Sequence, residues 1–293
     1  MKVVVTIPAY NEEKTIGQLI SGIKRVMSST KYNYEVLVVD DGSRDRTADI
    51  ARNAGAVVYS HPMNYGLAET FRTELQQCLK LGADTIVHID ADCQYLPEDI
   101  PKLLKEIENG YDLVLGSRFK GRIEYMPFVN RIGNKAFSMV ISNITRTRIT
   151  DAQTGFRAFT RKVAEEIRLT SDHTYTQEQI IRAIKQKFRI IEVPVYFARR
   201  RGRSRLIKNP LGYAFRAWIN ILRVYRDYEP LKFFGLIGIF IMSIGTVIGL
   251  YLVYLHFTSG IVGHFPLIML CVLVLSVGLQ ILLFGFMADM ERK

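Results

Sequence analysis

Two uncharged stretches near the C-terminus restrict this chain more than any other feature. Residues 233–257 contain no Asp, Glu, Lys or Arg, and residues 266–287 form a second such run. At about 1.5 Å per residue, each is long enough as a helix to cross a bilayer's hydrocarbon layer. The short link 258–265 makes a helical hairpin the natural arrangement; the competing arrangement is a hairpin buried in a soluble core. Basic residues orient membrane spans. Arg223, Arg226 and Lys232 precede the first run, Arg292 and Lys293 follow the second, and the link carries no Lys or Arg. The expectation is an integral, multi-pass membrane protein with both termini, and the domain before the spans, on the cytoplasmic side.

That preceding domain alternates between two periodicities. Apolar, β-branched runs at 2–7, 35–39, 56–60, 85–89, 111–116 and 189–195 read as strands. Between them, apolar residues recur at helical spacing, as in Ile16, Leu19, Ile20, Ile23 and Val26. Further helices are expected over 66–81, 97–107, 131–144 and 174–187, with a shorter one from about 43 to 54. Alternation of this kind predicts an α/β fold with a mostly parallel sheet. Ligands of such folds bind beyond the carboxyl ends of the strands. Four polar clusters fall there: Pro8 to Glu12, Asp40-Asp41, Asp90-Ala91-Asp92 and Ser117-Arg118.

The third cluster carries the most specific chemistry. On an extended backbone Asp90 and Asp92 would share a face. Two adjacent carboxylates repel unless a cation lies between them, and oxygen donors with open positions suit Mg²⁺ or Mn²⁺. An acidic pair alone is equally readable as a solvated strand end. The net charge of +11 asks for an anionic partner: nucleic acid, an anionic membrane surface or a phosphorylated substrate. Cys78, Cys93 and Cys271 have neither metal-ligand spacing nor the pattern of a disulfide framework. No glycine-rich dinucleotide fingerprint and no P-loop occurs, and His61, His88 and His173 stand apart from any Ser or Cys nucleophile set. They read as structural.

Val5-Thr6-Ile7-Pro8-Ala9-Tyr10-Asn11-Glu12, Val38-Val39-Asp40-Asp41-Gly42-Ser43, Asp90-Ala91-Asp92-Cys93-Gln94 and Gly116-Ser117-Arg118 together resemble the inverting family 2 glycosyltransferases of GT-A fold. Asp151 with Gly155-Phe156-Arg157, and Arg199 with Gly202-Arg203-Ser204-Arg205-Leu206, narrow the resemblance to polyprenyl-phosphate enzymes of the dolichol-phosphate mannose synthase type. It covers about residues 1–210. The chain is then expected to comprise a GT-A catalytic domain at 1–210, an interfacial amphipathic helix region at 211–231 and a transmembrane domain at 232–293.

The resemblance implies transfer of a hexose to dolichyl or polyprenyl phosphate, making a lipid-phosphate-sugar donor for glycoconjugate synthesis. Mannose from GDP-mannose is favoured; UDP-glucose or UDP-N-acetylglucosamine is the alternative, and no nucleic acid is involved. It also implies roles. Pro8, Tyr10, Glu12, Val39 and Asp41 would frame the nucleoside, with Asp41 bonding the base. Asp90, Asp92 and Gln94 would hold Mg²⁺ or Mn²⁺, with Ala91 beside them, and Arg199 and Arg205 would close over the diphosphate. Arg118 and Arg131 would grip the lipid phosphate; a surface salt bridge is the alternative for both. The chemistry is consistent: a phosphate monoester is already a nucleophile at neutral pH, its second pKa being about 6. Catalysis then reduces to positioning and electrostatics. Polysaccharide synthases share the front motifs but carry Q-x-x-R-W, whereas the only tryptophan here, Trp218, follows Ala217. A membrane-bound sugar-nucleotide-binding protein without turnover is the reading from a different class.

Overall fold

In a computed structural model of the chain, residues 1–169, 175–199, 219, 221–260 and 265–291 are described. The chain divides into two compact units, Met1–Ala214 and Phe215–Lys293. Arg205, His173, residues 211–218 (with Trp218) and 220 of the expected interfacial helix region, part of the link between the apolar runs, and Arg292 and Lys293 lie outside the described residues.

In the first unit, seven strands form one sheet: β1 (Lys2–Ala9), β2 (Asn33–Asp40), β3 (Val57–Ser60), β4 (Thr85–His88), β5 (Leu113–Ile123), β6 (Arg157–Thr160) and β7 (Ile190–Phe197). Their order is β3-β2-β1-β4-β6-β5-β7, and every pairing is parallel except those of β6, which runs against both β4 and β5. β1 lies inside the sheet between β2 and β4, both of its faces are covered, and its residues from Val3 to Ala9 are all buried. That burial explains the unbroken apolar run: a strand covered on both faces has no polar side to alternate with.

Among the described residues of this unit the helices are α1 (Ile16–Ser28), α2 (Thr47–Asn53), α3 (Leu67–Lys80), α4 (Ile100–Glu108), α5 (Phe128–Thr145), α6 (Arg161–Glu166) and α7 (Tyr175–Lys185). α1 shows the rule for the rest. Ile16, Leu19, Ile20, Ile23, Val26 and Met27 form its buried stripe, and all but Val26 join the core with β1, β2 and α4. A 3-10 turn, Pro97–Asp99, leads into α4, where proline suits the first turn because its missing N–H has no intrahelical partner.

Three sequence expectations change. β6 and α6 were not anticipated, since 151–157 reads as a loop and β6 is only four residues long. β5 continues to Ile123, well past the expected Gly116. β7 runs through Pro194 to Phe197, past the expected end at Val195. It lies at the sheet's edge, where a residue without an N–H can be accommodated.

The second unit holds α8 (Pro230–Ser259) and α9 (Phe265–Met290), both long and apolar enough to cross a membrane. They pack on each other through small residues. A Cβ on Gly278 would lie 2.9 Å from the Gly238 carbonyl oxygen and 2.6 Å from the Met242 side chain. Such close backbone approach is a common way for helices to associate in lipid.

Candidate active site

Because β1, β2 and β4 are parallel neighbours, their carboxyl ends share one edge of the sheet. Pro8 pairs with Val39 and Ala9 with Asp40, so the first two clusters lie side by side. The Asp41 amide donates to the Ala9 carbonyl at 2.8 Å, and the Ile89 amide to the Thr6 carbonyl at 3.1 Å. All three strand ends are thereby tied to β1.

The turns beyond these strands are built by side chains. Asn11 adopts φ 55°, its amide donates to Ser43 Oγ at 2.8 Å, and its Oδ1 accepts from the Arg44 amide. The Glu12 amide donates to Thr47 Oγ1, and Glu12 Oε2 accepts from the Thr15 hydroxyl at 2.9 Å. Tyr10 is 37% exposed. Asp41 is buried and carries a larger structural load than the sequence suggests. Its Oδ1 faces His61 Nδ1 at 2.8 Å and accepts from the Tyr65 amide, and its Oδ2 accepts from the Gly66 amide at 2.9 Å. Asp41 therefore fixes the segment 61–66 ahead of α3. His61 is held on its other side by Thr73.

β4 ends at His88, and Asp90 to Cys93 form a turn, not the extended backbone expected for a two-residue repeat. Cys93 takes φ 58°, a left-handed conformation rare for cysteine. Asp92 Oδ1 accepts from the Gln94 amide at 3.1 Å. The Gln94 side-chain amide donates to the Ala198 carbonyl at 3.2 Å, leaving Oε1 as its other polar atom. Asp92 and Gln94 thus belong to a tight turn that is braced, through Gln94, against the end of β7.

Asp90 also has a close neighbour from far downstream in Gly155. A Cβ on Gly155 would lie 2.7 Å from both Cγ and Oδ1 of Asp90, and closer still to Oδ2. Only a glycine leaves room for the carboxylate there. Beneath Asp90 lies a buried polar array. His88 Nδ1 faces Glu74 Oε2 at 2.8 Å, and its Nε2 faces the Tyr175 hydroxyl at 3.1 Å and Asp90 Oδ1 at 3.8 Å. Burial pulls the His88 pKa down, but the Glu74 and Asp90 carboxylates reverse this and raise it to about 9. Burial also pushes the Glu74 carboxyl up, so the pair holds its proton firmly. Arg157, fully buried on β6, pairs in register with His88 and donates to the Thr176 carbonyl, Gln179 Oε1 and the Thr154 carbonyl.

The arginines occupy different environments. The β5–β7 register jumps between Ser117 and Arg122, which takes Arg118 out of the ladder. Its Nε and Nη2 each donate to Asp151 at 2.7 Å, and Phe197 lies under the guanidinium at 5.2 Å. Burial acts to lower the Arg118 pKa, but Tyr95 and Asp151 outweigh it and the net direction is up. Neither the open phosphate grip nor the surface salt bridge describes it: Arg118 is a buried, forked ion pair. Arg131, on α5, is exposed. Arg199 lies over the Tyr125 ring at 5.3 Å, and its amide donates to Glu124. Sequence reasoning missed Glu74, Tyr175 and the Arg118–Asp151 pairing. Only the Asp151…Gly155 spacing offered a signal for any of them.

Residues 4–168 match the family model described as glycosyl transferase family 2. A dolichyl-phosphate hexose transferase of Haloferax volcanii is 36% identical over 69% of this chain and 85% of its own length. A UDP-N-acetylglucosamine–dolichyl-phosphate N-acetylglucosaminyltransferase of Methanococcus voltae is 32% identical over 64% of this chain and 82% of its own. Among solved structures, glucosyl-3-phosphoglycerate synthase of Mycobacterium tuberculosis, in complex with Mn²⁺, UDP and glucosyl-3-phosphoglycerate, aligns with a TM-score of 0.59 at 21% identity. That alignment covers 75% of this chain and 78% of the other and shows a shared fold.

Proposed function

This chain belongs to glycosyl transferase family 2 and is a hexosyltransferase of GT-A fold, and on that footing we propose that it moves a hexose from a nucleoside diphosphate sugar onto a polyprenyl phosphate. The observation that carries the proposal is the turn after β4, where Asp90 is seated on Gly155, Asp92 accepts from the Gln94 amide and Gln94 is braced by Ala198.

Asp90, Asp92 and Gln94 offer oxygen donors, which fit Mg²⁺ or Mn²⁺. Among the described residues, no group of three or more His, Cys, Asp or Glu side chains could hold a metal. The protein would therefore supply only part of the coordination shell, and the donor diphosphate would complete it. When bound, the cation offsets the charge that develops on the departing nucleoside diphosphate.

The protein's own residues do the positioning. Pro8 and Val39, paired across β1 and β2, would border the nucleoside, with Tyr10 and Glu12 beside them. Asp41 would act through the 61–66 segment it fixes. Arg199 and Arg205 would face the diphosphate. The acceptor phosphate attacks the anomeric carbon directly and inverts it, needing no protein base because it is already ionised at neutral pH. Arg131 would receive that phosphate, while Arg118, bound by Asp151, would orient the surrounding loop. α8 and α9 would anchor the enzyme, with the catalytic unit and both termini cytoplasmic.

The test uses the purified full chain in detergent with polyprenyl phosphate and labelled GDP-mannose, UDP-glucose or UDP-N-acetylglucosamine, GDP-mannose first. Chelator-sensitive formation of lipid-linked sugar with one donor is expected, and Asp92→Ala should abolish it. Absence of product with all three donors would overturn the proposal; a fully active Asp92→Ala would overturn the metal assignment.

A further inference from the structure

α8 covers only one side of α9. The buried residues of α9 are Cys271, Gly278 and Gly285, which share one side of the helix because their spacing is seven residues. Met269, Leu273, Ser276, Gln280, Leu283 and Met287 line the opposite side, and all are exposed. Exposed apolar side chains are what lipid requires of a span. Ser276 and Gln280 are not. Elsewhere in the hairpin the polar side chains turn inward on their own structure: the hydroxyls of Ser243, Thr246 and Thr258 donate to carbonyls of α8, and Cys271 reaches the Gly245 carbonyl. Among the described residues, no hydrogen-bond partner meets the side chain of Ser276 or Gln280.

Depth makes Gln280 the sharper of the two. At about 1.5 Å per residue, about 13 Å of helix separate it from Asp289, the first charged residue along α9. In a hydrocarbon layer of about 30 Å it lies near the midplane. Its short stem cannot carry the amide to the headgroups as a Lys or Arg stem would. Hydrocarbon offers no partner either, so an amide left there loses the hydration of both its N–H and C=O groups with nothing in return. α8 cannot help, because it packs on the other side.

The pattern around Gln280 identifies what does. The six residues of this face succeed one another at intervals of four, three, four, three and four, the seam of two helices that pair along a heptad repeat. One polar residue in such a seam fixes its register. Two copies of this chain enter the membrane the same way up, so their α9 helices run parallel and Gln280 meets Gln280. A carboxamide carries a donor and an acceptor side by side, and a twofold axis lets each satisfy the other. No charge on the face opposes the approach.

We infer that α9 is a self-pairing helix, and that two copies of this chain associate within the membrane through a Gln280–Gln280 hydrogen bond flanked by Leu273, Ser276 and Leu283. The inference rests on the membrane reading of α8 and α9 and not on the chemistry of the site.

The test counts copies in a bilayer. The full chain carries one fluorophore on a C-terminal tag and is reconstituted in liposomes over a range of protein-to-lipid ratios. Single-molecule photobleaching steps give the dimer fraction at each ratio, resistance to alkaline extraction checks the spans, and sugar transfer reports separately on the enzyme. The wild type should pass from one step to two as density rises. Gln280→Leu should need about tenfold higher density to reach the same dimer fraction, and Gln280→Asn, which keeps the carboxamide, should stay within about threefold of wild type. Leu279→Ala is the control at the same depth: Leu279 is 48% exposed but lies off the seam, so it should match the wild type. Wild-type protein that stays single at every density would overturn the inference, and so would Gln280→Leu pairing as readily as wild type. Release of the wild type by alkali would also overturn it, together with the membrane reading, while leaving the transfer assay to decide the chemistry.

Discussion

Replacing Gly155 with alanine tests the active-site geometry most sharply. Gly155 does not adopt a left-handed φ, so alanine meets no backbone strain there. The obstacle is Asp90, whose Cγ and Oδ1 would both lie 2.7 Å from the new methyl, where ordinary contacts begin near 3.4 Å. The carboxylate must move by about 1 Å. A displacement of that size at a reacting centre costs about a hundredfold in rate, or about 2.7 kcal/mol in the barrier. The Asp90 side chain is 36% exposed and can swing aside, so the fold should lose no more than about 1 kcal/mol. Gly155→Ala should therefore unfold almost like the wild type, while kcat falls about a hundredfold and half-saturating Mn²⁺ rises about tenfold. Gly133→Ala is the control, because a Cβ there meets nothing within 4 Å. Transfer to polyprenyl phosphate is followed with labelled donor across a Mn²⁺ titration. If Gly155→Ala kept its rate and metal response within about threefold of wild type, the reasoning that Gly155 seats Asp90 would be wrong.

Three further outcomes follow from other parts of the molecule. Asp151→Asn leaves the Arg118 guanidinium buried without a counter-charge; removing one partner of such a pair costs about 3–5 kcal/mol, so the thermal midpoint should drop on the order of 10 °C. His88 titrates at about 9 in the folded protein against an ordinary 6.5, so its contribution is complete below pH 6.5 and disappears as pH rises through 9. Metal-free protein should lose roughly 3 kcal/mol over that range, and His88→Gln should flatten the profile. Gly278→Leu should pry α8 from α9, because even a Cβ at that position overlaps Met242 and the Gly238 carbonyl. A disulfide placed across the two helices would then form less readily than in the wild type.

The features that could be read from sequence were those encoded locally. β1, β2 and β4 are buried on both faces, so each writes itself as a short apolar run, and the polar clusters after them locate the sheet's functional edge without any knowledge of partners. α8 and α9 are legible for the same reason, since lipid demands an apolar residue at nearly every position. What escaped depends on residues distant in the chain. β6 contains Arg157, which no strand pattern predicts to be buried; its burial is made possible by carbonyls at Thr154 and Thr176 and by Gln179. Arg118 reads as an exposed phosphate ligand until Asp151, 33 residues later, is seen to hold it.

At the acidic pair the backbone differs from the one the sequence suggests. Alternation along an extended strand would put Asp90 and Asp92 on one face, but the strand ends two residues before Asp90 and the turn includes Cys93 at φ 58°. Side-chain and backbone bonds replace strand geometry: Asp92 accepts from the Gln94 amide, Gln94 is tied to Ala198, and Asp90 rests on Gly155 above His88. A strand would tolerate substitution at its neighbours, because its direction comes from the ladder. This turn has no ladder, so its shape depends on Gly155, Ala198 and the Glu74–His88–Tyr175 array. Mutations at those positions should affect metal-dependent transfer even though only Asp90, Asp92 and Gln94 would touch the cation.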